Sequence, residues 1–410
     1  MRPPQDDAWR CAPARATVTR LTPPGEGGIT VLRLAGPDAA RVLAALFVSP
    51  RRASLASAAP GQLLYGRLVH EGQTLDEAIV CRAPSPQEQC VYEINCHGGA
   101  VPARRVLEAL AAFGVRQNTW SQDVDERRRN GEMDAVQAEA GKLLPRALTR
   151  DAAAMLLAQS RGALSRLLRH AADRAAQDPA LAASALQEAL LAAPHGRRLA
   201  QPARVAVAGR PNAGKSSLVN ALLRAPRVIV SPHPGATRDT IEAECEIASL
   251  PVLLIDTAGV RPASDHVEQQ AVARALGAVA AADAVLLVLD ASQPLTPPDT
   301  ELLVRTRPIP RRLVLNKSDL PPAISPGDLA SEPGPPPLAV SAATGQGIAS
   351  LEQAIRDLLI GRPADLAGPV PFTERQENLI RQACAALASF PPQVTQAQSL
   401  IRQILADPAA

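Results

Sequence analysis

Gly209-Arg-Pro-Asn-Ala-Gly-Lys-Ser-Ser217 lies between an apolar run, Ala203-Arg-Val-Ala-Val-Ala208, and an amphipathic stretch, Ser217-Leu-Val-Asn-Ala-Leu-Leu-Arg224. A strand, a glycine-rich loop and a helix in that order, with the spacing G-x-x-x-x-G-K-S, form a phosphate-binding loop. Its glycines let the backbone approach a polyphosphate, so Asn212, Ala213, Gly214, Lys215, Ser216 and Ser217 would wrap the phosphates with N–H groups at a helix N-terminus. Lys215 would reach the β- and γ-phosphates, and the Ser216 hydroxyl would ligate Mg²⁺.

Four further signals follow downstream. In Ser231-Pro-His-Pro-Gly-Ala-Thr-Arg-Asp239, Ser231, Gly235, Ala236 and Thr237 would edge the nucleotide, with Thr237 a second Mg²⁺ ligand near the γ-phosphate. The apolar run Val252–Ile255 ends in Asp256-Thr257-Ala258-Gly259; Asp256 would hold the metal's shell and Gly259 would sense the γ-phosphate. A strand from Ala284 to Leu289 precedes Asp290, and Leu313-Val-Leu315 runs into Asn316-Lys317-Ser-Asp319. The Asp319 carboxylate can accept from both N1–H and N2–H₂ of guanine, donors that adenine lacks. Leaving a buried carboxylate unpaired costs about 1–3 kcal/mol or more, so ATP is rejected. Leu338-Ala-Val340 leads to Ser341-Ala342, a loop whose backbone would read guanine O6. The sequence therefore predicts a domain that binds GTP and GDP. Many GTPases place a water-orienting Gln directly after the Asp-Thr-Ala-Gly motif. Val260 stands there and cannot hydrogen-bond, so a polar residue in Val260–Glu268 must act instead.

These residues resemble the tRNA-modification GTPases (MnmE, also called TrmE), which carry DTAG-[apolar]-R-x-x-x-D-x-V-E. The resemblance implies that Glu268 positions the attacking water, with Lys215 and Thr237 completing the catalytic set. It implies K⁺ in place of an arginine finger, held by Asn212 and by the Gly235–Asp239 loop, where Ala236 replaces a Thr. The N-terminal part is similar too: Leu21-Thr-Pro-Pro-Gly-Glu-Gly-Gly-Ile29 with Arg33 and Gly36, and Glu93-Ile-Asn-Cys-His-Gly-Gly99. In the family this region is a tetrahydrofolate-binding-like α/β domain that dimerises and holds 5-formyltetrahydrofolate, with the positions of Arg33 and Glu93 contributing. The family acts on the wobble uridine of tRNA with an FAD-dependent partner of the MnmG type.

Two departures stand out. Within Ser121–Ala140 the Asn-Gly and Gln-Ala-Glu-Ala pieces are kept, but the lysine that assists folate binding is replaced by Glu132. Family members end in Cys-Ile-Gly-Lys, whereas this sequence ends Gln403-Ile-Leu-Ala-Asp-Pro-Ala-Ala410. Folate is accordingly expected to bind weakly or not at all. A paralogue that keeps GTP hydrolysis and dimer switching without folate or tRNA chemistry is one alternative, and a ribosome-assembly GTPase of the Era/Der type another. The latter would want an RNA-binding appendage such as a KH domain, and no such motif is evident.

At 410 residues, more than one core is expected. The layout predicted is multidomain α/β plus all-α: residues 1–118 the N-terminal domain, 119–202 helices, 203–364 an inserted Ras-like GTPase domain, and 365–410 further helices. Net charge is +3, which neither demands nor excludes a polyanion. Only three lysines occur (Lys142, Lys215, Lys317), two of them in nucleotide motifs. Six cysteines without a C-x-x-C pair suggest a reducing, cytoplasmic setting. No segment is long and apolar enough for a membrane span, so no membrane partner is expected. Cys90, Cys96 and His97 fit a strand and turn better than a metal site, and the Pro-rich stretch 321–337 reads as a surface loop.

Overall fold

The computed structural model describes residues 13–406 except 24, 26, 51–54, 56–57, 85–89, 224–240, 257–276, 278 and 362. The chain divides into two units, Met1–Asp134 and Ala135–Ala410.

In the first unit, alternation of apolar and polar residues builds a half-buried sheet. Its elements are β1 (Thr17–Arg20), β2 (Ile29–Ala35), α1 (Ala39–Leu46), β3 (Phe47–Val48), β4 (Leu63–His70), β5 (Gln73–Arg82), β6 (Val91–His97), α2 (Ala100–Ala112), β7 (Arg116–Asn118) and α3 (Trp120–Arg129). The strand order is β3-β4-β5-β6-β2-β1-β7, antiparallel except where β7 joins β1. Leu32, Leu34, Val80 and Ile94 point to one face, where Val42 and Leu46 of α1 and Val106 and Leu110 of α2 cover them. On the other face Arg33 and Glu93 lie directly opposite each other. That face leaves Ile29, Leu63, Tyr65 and Ile79 exposed. Helix α3 starts in a capping box, Thr119 with Gln122. The sequence assigns it to the helical part, and it packs on β1 and β7 within this unit.

The second unit joins helices to a second sheet: α4 (Ala135–Leu143), α5 (Arg150–Ser160), α6 (Ala163–Arg174), α7 (Pro179–Ala200), β8 (Ala203–Ala208), α8 (Lys215–Leu223), β9 (Ile241–Ile247), β10 (Leu250–Asp256), β11 (Ala284–Asp290), α9 (Pro297–Thr306), β12 (Arg311–Asn316), β13 (Leu338–Ala339), α10 (Ile348–Ile360), α11 (Glu374–Ala388) and α12 (Val394–Leu405). The order β13-β12-β11-β8-β10-β9 is parallel except for the edge strand β9. Every residue of β11 is buried, as a parallel sheet covered on both faces requires. Leu287 and Leu289 face a core with Leu303, whereas Leu286 and Val288 face the other way. That second core runs without a break through Val205 and Leu254 of the sheet, Leu156, Leu168 and Leu186 of the helices, and Phe372, Ile380 and Ile401 near the end of the chain.

The segment leaving α10 is fastened to the helices. Gln159, fully buried, donates to Gly368 O (3.0 Å) and accepts from Val370 N (3.4 Å). His195 Nδ1 accepts from Ala364 N (2.9 Å). A Cβ on Gly196 would collide with the Pro371 carbonyl, so the close approach requires glycine there. The Pro-rich stretch is pinned rather than loose: Leu329 is buried, and Glu332 accepts from Arg307 (2.7 Å) and Arg311 (2.5 Å).

Candidate functional site

The carboxyl ends of parallel strands converge where crossovers leave a crevice, the usual place for a ligand in such sheets. Here β8 ends at Ala208, just before Gly209, β10 at Asp256, β11 at Asp290 and β12 at Asn316, while Ser341 follows β13. Asp290 and Asn316 are register neighbours. The sequence's nucleotide motifs thus come together because each sits just beyond one strand.

In the phosphate loop, Gly214 has φ +89°, and a Cβ there would strike the Asn316 amide. Asn212 adopts φ +63° and is exposed. Lys215 lies across the loop and donates to Arg210 O (2.8 Å). Burial holds its ammonium below the usual lysine range, with Asp256 pulling the other way. Ser216 Oγ donates to Asp256 Oδ2 (2.7 Å), bringing together a hydroxyl and a carboxylate oxygen, the hard donors that Mg²⁺ prefers. Ala213 is buried, and Ser217 is exposed in the first turn of α8.

On the base side, Asn316 does not face an empty crevice. Its Nδ2 donates to Ala213 O (2.9 Å) and its Oδ1 accepts from Ala342 N (3.1 Å), so one amide ties the phosphate loop to the loop after β13. Asp319 Oδ1 accepts from the buried Ser341 hydroxyl (2.6 Å), whose oxygen in turn accepts from Thr344 N (3.1 Å). The sequence points to the backbone at Ser341; the structure adds its hydroxyl, which aims the Asp319 carboxylate. Lys317, at φ +64°, donates to Asp290 Oδ2 (2.6 Å). Burial pushes the Asp290 carboxyl up, but hydrogen bonds from Lys317 and Ser292 outweigh it and hold it below the ordinary value. The sequence singles out Asp290 but assigns it no role; its place as the one polar residue closing an otherwise apolar strand is the signal that identifies it.

Ser231, Gly235, Ala236, Thr237, Thr257, Ala258, Gly259 and Glu268 lie outside the described residues. The hydrolytic half of the site therefore stands on sequence alone.

The N-terminal candidates form a separate cluster. Arg33 donates through one terminal nitrogen to Asp123 Oδ1 (2.7 Å) and pairs through the other with Glu132 Oε2 (3.4 Å). Arg127 Nε also donates to Glu132 Oε2 (3.0 Å), and Thr19 donates to Asp123 Oδ1 (3.2 Å). Arg33 and Glu132 are each about nine-tenths buried in their side chains, at 11% and 10% exposure. Asp123 Oδ2 is buried with no hydrogen-bond donor among the described residues.

The family described as "50S ribosome-binding GTPase" matches residues 204–317, and that described as "GTP-binding protein TrmE N-terminus" matches residues 17–120. The chain is 38% identical over 395 residues to the tRNA modification GTPase MnmE of Chloroflexus aurantiacus, covering 89% of this chain and 87% of that protein. It is 39% identical over 389 residues to the protein of the same name from Thermus thermophilus, covering 88% and 86%. A Roseiflexus relative, again a tRNA modification GTPase MnmE, is 36% identical over 398 residues, covering 88% and 86%.

Proposed function

The chain belongs to the MnmE family of tRNA-modification GTPases, and we propose from that membership that its GTP hydrolysis drives modification of the tRNA wobble uridine together with an FAD-dependent partner of the MnmG type. It is a GTP-hydrolysing enzyme. The observation that carries the reading is the coincidence of that relatedness with a built guanine reader, Asn316 and Asp319 held by Ala213, Ala342 and Ser341.

In the mechanism, the phosphate-loop N–H groups and Lys215 bind and orient the triphosphate, and Asp319 selects guanine. Ser216 and Asp256 fit Mg²⁺, which supplies charge neutralisation between the β- and γ-phosphates when bound. Glu268 would orient water, and Asn212 would help hold K⁺, which would supply positive charge beside the phosphates.

We further take the first unit to form a homodimer, as its exposed Ile29, Tyr65 and Ile79 on one sheet face support. The four domains given by the sequence are retained as part of this reading, with α3 counted in the first unit, where it packs. No described helix is long and apolar enough to cross a membrane; action in the cytoplasm, with tRNA, belongs to the proposal.

5-Formyltetrahydrofolate does not fit the residues present. Both terminal nitrogens of Arg33 are engaged by carboxylates, so a folate carboxylate would have to displace Asp123 or Glu132 to reach it. That favours, as a second reading, a member that keeps the GTPase cycle with altered modification chemistry. Mass spectrometry of wobble uridines in a deletion strain, complemented with the native chain or Asp319→Asn, tests the proposal. Unmodified uridines that the native gene fails to restore would overturn it.

A further inference from the structure

Among the four residues from Asn316 to Asp319, three are fixed from the same direction. Asn316 is held by Ala213 and Ala342, Ser318 N donates to Val340 O (3.0 Å), and Asp319 is held by Ser341. Lys317 differs: its ammonium is held from the end of β11. Asp290, with its side chain 3% exposed, accepts at Oδ2 from Lys317 Nζ (2.6 Å) and at Oδ1 from Ser292 N (3.0 Å) and Ser292 Oγ (2.6 Å). The carboxylate is thus oriented by two donors on one oxygen, and presents the other to the lysine.

We propose that Asp290, oriented by Ser292, is a positioning residue for guanine nucleotides, acting through Lys317. This rests on the reading of Asn316–Asp319 as the base-binding motif. An unanchored lysine loses rotamer freedom when it is ordered against a ligand. Here Asp290 orders it beforehand, so the nucleotide meets a set side chain and the ordering cost leaves the binding step. The left-handed backbone at Lys317 and the ion pair together fix where the four-carbon stem runs.

Calorimetry on the full chain with GDP tests this. Asp290→Asn keeps the shape but removes the charge, and is expected to weaken GDP binding roughly 10-fold, with Ser292→Ala weaker in the same direction. Lys317→Met is expected to match Asp290→Asn, and the double variant to lose no more than either alone. Tripolyphosphate, which lacks a base, is expected to bind native and variant chains equally. Additive losses in the double variant, an equal loss of tripolyphosphate binding, or unchanged or tighter GDP binding by Asp290→Asn would each overturn the inference. Should Asp290→Asn fail to fold, Ser292→Ala against Lys317→Met completes the same cycle. Failure of the native chain to bind GDP would instead remove the underlying reading of the motif.

Discussion

Glu132→Lys tests the charge reversal at the N-terminal cluster. A folate carboxylate that reached Arg33 would have to approach within about 4 Å of Glu132, which already pairs with both Arg33 and Arg127. At an effective dielectric near 20, that repulsion is about 4 kcal/mol. The gain from one charge-assisted hydrogen bond is about 1.5–3 kcal/mol, so the native site has no net attraction at this point. With lysine in place the repulsion vanishes and one favourable contact is added. Together these amount to about 5.5–7 kcal/mol, an upper bound of roughly four to five orders of magnitude in affinity for 5-formyltetrahydrofolate. Part of that is lost to repulsion among three neighbouring cations, although Asp123 and Glu126 remain to offset them; Glu126 accepts from Thr17 and Asn118. Calorimetric titration at low salt, alongside a melting curve for each chain, reads the effect. Micromolar binding by the native chain would refute the reasoning and mean that Arg127 or a neighbouring arginine serves the ligand. So would a folded Glu132→Lys chain that gains nothing.

Asp319→Asn should shift preference from guanine to xanthine nucleotides, measured as GDP and XDP dissociation constants; comparable ATP affinity in the native chain would contradict the assignment. Glu268→Ala should lower GTP turnover about 100-fold with little change in GTP affinity, as for a group acting in the transition state. Turnover should also be faster in K⁺ than in Na⁺; equal rates, with collapse in Arg238→Ala, would point to an internal arginine finger instead. His195 provides a pH dependence. Burial lowers its pKa, with Arg356 adding to the shift and Asp151 opposing it, so the unfolded chain binds the proton more readily. The sign follows: its contribution to stability is complete above the ordinary histidine value near 6.5 and is lost as pH falls through the lower folded value. Melting temperatures from pH 8 to 5 should fall more steeply for the native chain than for His195→Gln, and parallel curves would remove His195 as the cause.

The phosphate loop was legible because everything it needs is local: an apolar strand, glycines and a lysine within fifteen residues. The guanine motif was legible for the same reason, each piece being a short polar string after a buried strand. Partnerships across the chain were not. Nothing adjacent to Arg33 announces Asp123 or Glu132, which lie 90 and 99 residues away and meet it only when α3 packs against β1 and β7. The sequence does reveal that Glu132 reverses a charge, but not that the glutamate holds the very arginine the ligand would want. Ser341 illustrates a subtler limit. Its place in the loop could be read, whereas the direction of its hydroxyl depends on Asp319 and Thr344 being brought to it by the sheet.

The core that runs unbroken from the sheet into the flanking helices has a thermodynamic consequence. Leu254 and Leu186 belong to the same buried cluster as Phe372 and Ile401, so the helices cannot melt without exposing one face of the nucleotide-binding sheet. The second unit should then unfold as one cooperative block, although its helical residues come from both sides of the sheet in the chain. Any ligand bound only by the folded form stabilises the whole block, by about 2.7 kcal/mol at one hundred times its dissociation constant. Occupancy by nucleotide is thereby felt as resistance to opening in α11 and α12, helices that carry none of the nucleotide motifs.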